Sequence, residues 1–520
     1  MSKFLGLFTG VALAAAVAMP RIATAADWPS FGSFMDNSAN AQLELTISTA
    51  NVASLAPKFV VSTGGYVSAR AAVVSGVAYF PDSGGNVWAV NAVTGAVIWS
   101  VNLKTLGFPA GTYSRSSPAV DSGRVVLGTQ MTASGAYLLA LNSANGSLLW
   151  STKLDPHPKA VLTAAPVIFN GVIYQGVASQ EEVAAATPTY PCCSFRGSIA
   201  AVNENTGAVL WQTYTVPPGY SGGGVWGSHA AVDPTRNKLY ISTGDNYSTP
   251  TDPAYVKCIA GGGVGPSCLS PKDHFDSVLA LDLTNGQIKW SQRLWSQDAW
   301  NVGCNYNPPG GANCPNPAGP DYDFASAPQE FFFVDSKGVL TTLVGAGQKS
   351  GVYAAFNPDT GALVWATQVG PGSTLGGIQW GSATDVRRIY VAISNYGHHP
   401  YASGPAGGTA GSWNALDPAT GRILWRTPDP AGALDLGPMA VSNGVVYAPS
   451  SAGGASQPNM FALDASSGKI LWKFASGGSV IAGASISNGT VYWGSGYNLG
   501  GNPLFTPGNK KFYAFSIGGL

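Results

Sequence analysis

Seven stretches of this chain share one frame: WAVNAVTGAVIW, LLALNSANGSLLW, IAAVNENTGAVLW, VLALDLTNGQIKW, YAAFNPDTGALVW, WNALDPATGRILW and MFALDASSGKILW, ending at Trp99, Trp150, Trp211, Trp290, Trp365, Trp425 and Trp472. In every copy an Asp or Asn stands four residues before a Gly, and the Gly four before the Trp. Each copy reads as a hairpin. Alternating apolar residues make one strand, Asp/Asn-x-x-x-Gly makes the turn, and a second strand ends in Trp. A second motif, an Ala-x-Val strand, a turn and a V-Y strand, occurs eight times, beginning near Ala71, Ala119, Ala165, Ala231, Ala327, Ala383, Ala440 and Ser485. Four short strands cannot bury both faces alone; stacked radially they can, and ring closure protects their edges. The tryptophans stand 47 to 79 residues apart, which suits one blade plus variable loops. The eighth copy lacks its Trp hairpin, but the strand Lys511 to Ile517 can complete a blade with strands near Trp28 to Thr63. The sequence therefore predicts an all-β fold, an eight-bladed β-propeller forming one domain over residues 26–520. The seven repeat tryptophans are expected to wedge between blades, and none is expected in catalysis.

Composition agrees where it bears on the argument. The 67 Gly and 36 Pro favour many short strands over long helices. Lys+Arg and Asp+Glu balance at 26 each and form no basic stripe, so nucleic acid is not an expected partner. Residues 1–25 read as an export signal: Lys3, an apolar run from Phe4 to Met19, then Ala23-Thr24-Ala25 as a small-x-small cleavage site. That run is short for a membrane span, and no other segment is long enough. A periplasmic or secreted location follows. The six cysteines fit an oxidising compartment as three local pairs, Cys192 with Cys193, Cys258 with Cys268, and Cys304 with Cys314. No C-x-x-C-H is present, so the chain carries no c-type haem of its own. The five histidines match no catalytic or metal spacing.

The repeat A-L-D-x-x-T-G-x-x-x-W resembles the tryptophan-docking motif of the quinoprotein alcohol dehydrogenases, which hold pyrroloquinoline quinone (PQQ). The resemblance spans nearly all of the mature chain. Scaffold propellers without cofactor share the repeat, so function must be argued from the site. Within the family, S-x-E-E before CCSFRGS, then DAWN, a Cys-bearing insertion and GPDYDF resemble the polyvinyl alcohol dehydrogenase branch.

What the resemblance implies can be carried over stretch by stretch. LTAAPVIFNGVIYQGVASQEE resembles the segment with a PQQ-contacting Thr and a calcium-binding Glu, which puts those roles on Thr163 and Glu181. GGGVWGSHAAVDPTRNKLYISTGDNYS is similar to a Gly-Gly-x-x-Trp stretch followed by a metal ligand. Trp226 would then be the platform beneath the quinone, and Asp245 a calcium ligand where the family often has Asn. GPDYDFASAP resembles the segment bearing the catalytic base, which falls on Asp323, with Asp298 and Asp321 as fallbacks. A competing alignment uses QDAWN and would place Asn301, which cannot accept a proton, in the base's position. Asp323 keeps the following run in register. GAGQKSG puts Lys349 where the family has a basic residue on the quinone oxygens, able to stabilise the reduced ring. Arg115, Gln379, Trp380 and Asn395 are further cofactor candidates. Adjacent Cys192 and Cys193 can close an eight-membered disulfide ring of the kind that alcohol-oxidising quinoproteins stack on PQQ.

The implied activity is PQQ- and calcium-dependent oxidation of polymeric or small secondary alcohols, polyvinyl alcohol among them. Electrons would pass to a separate acceptor such as cytochrome c. Ala325 stands where lanthanide-dependent relatives have a further acid, which favours calcium. A cofactor-free propeller acting as a scaffold or ligand-binding protein is the rival reading.

Overall fold

The structure is a computed structural model that describes residues 27–306, 311–405, 407–498 and 504–520; the export signal expected over residues 1–25 lies outside them. Eight antiparallel sheets follow one another along the chain. Each runs from an inner strand to an outer one, as blade 4 does through Ala231–Asp233, Lys238–Ser242, Ser277–Asp282 and Ile288–Arg293. The inner strands of the other blades begin at Ala72, Ala119, Val167, Ser326, Ala383, Ala440 and Ser485, within two residues of the starts read from the sequence. The ring closes in blade 8. There Leu55–Ser62 pairs with Lys511–Ile517, so the outermost strand comes from the N-terminal side and the rest from the C-terminal end.

All seven repeat tryptophans are held in the same way. Each indole donates its N–H to a backbone carbonyl near the following turn: Trp99 to Ser143, Trp150 to Glu204, Trp211 to Leu283, Trp290 to Pro358, Trp365 to Pro418, Trp425 to Ala465 and Trp472 to Leu55, at 2.9 to 3.2 Å. The repeat glycine explains the frame. Gly468 has φ +73°, and a Cβ there would come within 2.5 Å of the Trp425 ring. The Gly therefore makes the turn and is also the surface on which the preceding blade's Trp lies. Blade 8 has no such Trp, and Phe59 on its outer strand takes the place, with its ring against Gly95.

The segment 27–41 closes one end of the axial channel. Its backbone exchanges hydrogen bonds with inner strands of six blades: Trp28 with Val73, Pro29 with Val120, Met35 with Val232, Asp36 with Glu330, Ser38 with Thr384, and Ala39 with Val441. Extended backbone laid across strand edges satisfies groups that would otherwise face an open pore.

Candidate active site

In each blade the inner strand runs antiparallel to the second, so the start of one and the end of the other meet at the same end of the channel. Arg115, Thr163, Trp226, Asp323 and Trp380 lie three to five residues before an inner strand. Asp245 and Lys349 lie two or three residues after a second strand, and Glu181 and Glu182 follow the second strand of blade 3. Topology alone therefore gathers these residues at the mouth opposite the N-terminal plug.

Asp323 is the centre. One carboxylate oxygen accepts the Asp245 amide at 2.7 Å; the other accepts the Trp226 indole N–H at 2.9 Å and lies 3.0 Å from Lys349 Nζ. Lys349 Nζ is also 2.6 Å from Asp321 and 5.3 Å from the centre of the Trp226 ring. Trp226 meets Trp380 edge-on with centroids 5.1 Å apart, and the Arg115 guanidinium lies 4.6 Å from the Trp380 ring centre. Thr163 donates to the Trp226 carbonyl at 3.3 Å. Gln379 is buried beside Trp380, with its side chain against Gly376.

The electrostatics are lopsided. Asp245, Asp321 and Asp323 each offer an oxygen, all within 4.8 Å of one another, and all three residues are buried. Among the described residues, both Asp245 oxygens and one of Asp321 have no hydrogen-bond partner. Burial, with the charges of Asp323 and Asp321, raises the Asp245 carboxyl well above the carboxylate range. Burial also raises Asp321, despite Lys349. Lys349 is driven the other way: burial would lower it, but Asp321 and Asp323 hold it charged. Orphaned buried carboxylates are costly unless something positive meets them. A hard divalent cation held by oxygens fits this donor set.

Glu181 is engaged by groups of the loop that follows it. Its carboxylate accepts the amides of Ser194, at 2.9 and 3.0 Å, and Phe195, at 2.8 Å, with the Tyr190 hydroxyl at 3.1 Å and His157 Nε2 at 3.4 Å. Burial opposes its charge, but these donors outweigh it and lower the carboxyl below its usual value. Glu181 thus pins the loop that carries the Cys192–Cys193 disulfide. Its neighbour Glu182 is the residue that feels the cluster. Burial pushes Glu182 up to about 7, with Lys349 lowering it and Asp323 raising it.

Asn301 and Asp298 are brackets. Asn301 donates to the carbonyls of Tyr247 and Asn313 at 2.8 and 2.7 Å, and its Nδ2 is 3.9 Å from Cys192 Sγ. Asp298 accepts the amides of Asp321 and Tyr322 at 3.2 and 2.8 Å, which sets the turn leading to Asp323. Asn395 turns its amide to His399 and Ala410 of its own loop. Cys193 packs with Phe195 and Tyr247. The pairs Cys258–Cys268 and Cys304–Cys314 are disulfides, as the sequence suggested.

Propeller, docking tryptophans and acid-lined mouth define a class, and comparison with known proteins agrees. A family model described as outer membrane protein assembly factor BamB matches residues 57–189 and 409–515. The solved quinohemoprotein alcohol dehydrogenase of Comamonas testosteroni superposes with a TM-score of 0.68 at 19% identity, over 95% of this chain and 81% of that one. The chain is thus an eight-bladed propeller of the quinoprotein alcohol dehydrogenase type. More particularly, it is 29% identical to the polyvinylalcohol dehydrogenase of a Sphingopyxis species, over 96% of this chain and 77% of that one. A Pseudomonas polyvinylalcohol dehydrogenase is 28% identical over 92% of this chain and 74% of its own length. The resemblance read from the sequence is borne out: the relatives it pointed to are quinoprotein alcohol dehydrogenases, and the chain is similar to them over almost its whole length.

Proposed function

We propose that this chain oxidises secondary alcohols, polyvinyl alcohol among them, with PQQ and calcium at the channel mouth. The observation that carries this reading is the buried trio of aspartates, within 4.8 Å and only partly satisfied, beside an indole that one of them anchors. The likeness to polyvinylalcohol dehydrogenases over almost the whole chain supports the substrate class.

Asp245, Asp321, Asp323 and Glu182 would hold the cation, with Glu182 taking the place that the resemblance assigns to Glu181. Trp226 offers a flat face to a planar ring. Thr163 and Arg115 offer a hydroxyl and a guanidinium to carboxylates, and Gln379 and Trp380 line the adjoining wall. When bound, the quinone would supply a hydride acceptor and the cation held by these acids a Lewis acid. Asp323 is the base. Three donors fix its carboxyl group in place at 2.7 to 3.0 Å, and it takes the alcohol's hydroxyl proton as hydride leaves the carbon. Lys349, held charged by its acidic neighbours, stabilises negative charge on the oxygens of the accepting ring. The disulfide loop of Cys192 and Cys193 borders the site on the blade 3 side. With no haem motif in the chain, electrons leave to a separate acceptor such as cytochrome c, and the export signal puts the reaction in the periplasm or outside.

Protein given PQQ and calcium is expected to keep quinone absorbance through gel filtration and to reduce a dye with polyvinyl alcohol. Protein that retains no quinone leaves a propeller of the scaffold kind.

A further inference from the structure

Beside Trp380 lies a cavity whose lining includes Phe31, Ser68, Arg70, Arg115, Thr163 and Gly483. Arg70 is part of that lining and is 1% exposed. Its terminal nitrogens donate to three backbone carbonyls: Phe31 at 2.7 Å, Met439 at 2.7 Å and Pro438 at 3.3 Å. The rings of Phe31 and Trp28 lie 4.6 and 5.4 Å from the guanidinium carbon. Among the described residues its Nε has no hydrogen-bond partner. No carboxylate among them comes within 4.0 Å of it.

A buried guanidinium without a counter-charge is unfavourable. The effect is visible in its acidity: burial alone lowers Arg70 to about 9, and no acid raises it again. The neighbouring ring of His229, on the same axis, is fully buried and is lowered to about 3 by burial and by Arg70. Nothing among these neighbours offers negative charge. The fold nevertheless makes room for the cation. A Cβ on Gly483 would collide with Arg70 Nη2 and Nε, so only glycine leaves the guanidinium that position. Arg115 lines the same cavity and adds a second positive charge.

From this we infer that the axial cavity is an anion pocket, with Arg70 and Arg115 as its charges, and that it receives a carboxylate of the bound quinone. This inference rests on the quinone reading above and deepens it. Arg70 acts as a specificity residue: it selects a carboxylate-bearing quinone by charge, from the cavity beside Trp380, while the N-terminal plug holds it in place through Phe31.

The test measures binding rather than turnover. Quenching of tryptophan fluorescence in the full chain with calcium gives the affinity for PQQ and for its trimethyl ester, the same ring system without negative charge. In Arg70→Met the free acid is expected to bind roughly 10- to 100-fold more weakly, in line with loss of one charge-assisted contact, while the ester changes little. Arg70→Lys, which keeps the charge, is expected to restore most of the loss. Equal weakening for both ligands would show a merely structural role and overturn the proposal, as would unchanged binding of the acid. Should Arg70→Met not fold, Gly483→Ala, which displaces the guanidinium, gives the same comparison: selective loss of the acid supports the pocket, and equal or no loss overturns it. If the unaltered protein binds neither quinone, the functional reading fails and the pocket is tested by itself. Acetate or chloride should then raise Tm in the unaltered chain and not in the variant; absence of that difference removes the pocket too.

Discussion

Trp425 and Trp226 are the same residue type in the same ring, yet their surroundings follow opposite rules. Trp425 is 6% exposed, donates to the Ala465 carbonyl at 3.0 Å and lies on Gly468. Six other tryptophans repeat that arrangement, so each polar group there is matched by backbone that the fold supplies anyway. Trp226 is half-buried and donates to a side chain, Asp323, which is also claimed by Lys349 and by the Asp245 amide. Around it stand carboxylate oxygens with no partner among the described residues. The outer ring is complete as folded, whereas the mouth is complete only with something added. Exceptions to satisfied burial concentrate where function is expected.

The largest expected effect breaks the mouth and spares the ring. Asp323→Asn keeps an acceptor near Trp226 but loses the base, and dye-linked kcat should fall by about 10²- to 10⁴-fold while quinone absorbance stays with the protein. Undiminished kcat would move the base elsewhere, with Asp321 next in line. The complementary change is Trp425→Ala, which removes a wedge far from the acids. It should lower stability by about 3–5 kcal/mol in denaturant unfolding, the usual effect of emptying a large aromatic site. A loss under about 1 kcal/mol would mean that the docking ring is not what holds neighbouring blades together.

A smaller pair of changes separates two neighbouring acids. Glu182→Gln should weaken cation binding about 10-fold, read by calcium titration of the quinone-loaded protein, with unfolding little changed. Glu181→Gln should do the reverse: it leaves the amides of Ser194 and Phe195 facing a weaker acceptor and should cost about 1–3 kcal/mol of stability. If Glu181→Gln is the variant that loses the cation, the family motif assigns the ligand correctly and the geometric reading falls.

What the sequence could reveal follows from the same contrast. Blades are legible because one physical unit is written seven times, and each copy corrects the reading of the others. Asp323, Lys349 and Trp226 are legible through resemblance, and the structure brings them within hydrogen-bond or ring contact of one another. Glu181 and Glu182 cannot be told apart in sequence, because adjacent residues on a short turn face different ways and a motif fixes position only to within a residue. The donors that hold Glu181 come mainly from residues 13 and 14 positions later, in a loop whose path no local pattern encodes. Phe59 carries no signal either, since the blade it completes is assembled from both ends of the chain. Arg70 does leave a trace: a lone charge in SARAAVV, two residues before a buried inner strand.

The last effect concerns the closed end of the channel. Glu330 lies on the inner strand of blade 5, with its amide bonded to the plug residue Asp36 and its carboxylate 3.3 Å from Arg236. Burial, then the charges of Asp233 and Asp36, raise it from 4.5 to about 8, with Arg236 only partly opposing. A carboxyl raised on folding binds its proton more tightly in the folded state. Its contribution is therefore fully present below the unfolded value and is lost as pH rises through the folded one. Stability should decline between about pH 5 and 8, by at most about 1.4 kcal/mol per unit for one group. Glu330→Gln, neutral at every pH, should flatten that slope when unfolding is measured across the range. A slope unchanged in the variant would mean that Arg236 holds Glu330 ionised, and that the plugged end, like the tryptophan ring, is already satisfied in its charges.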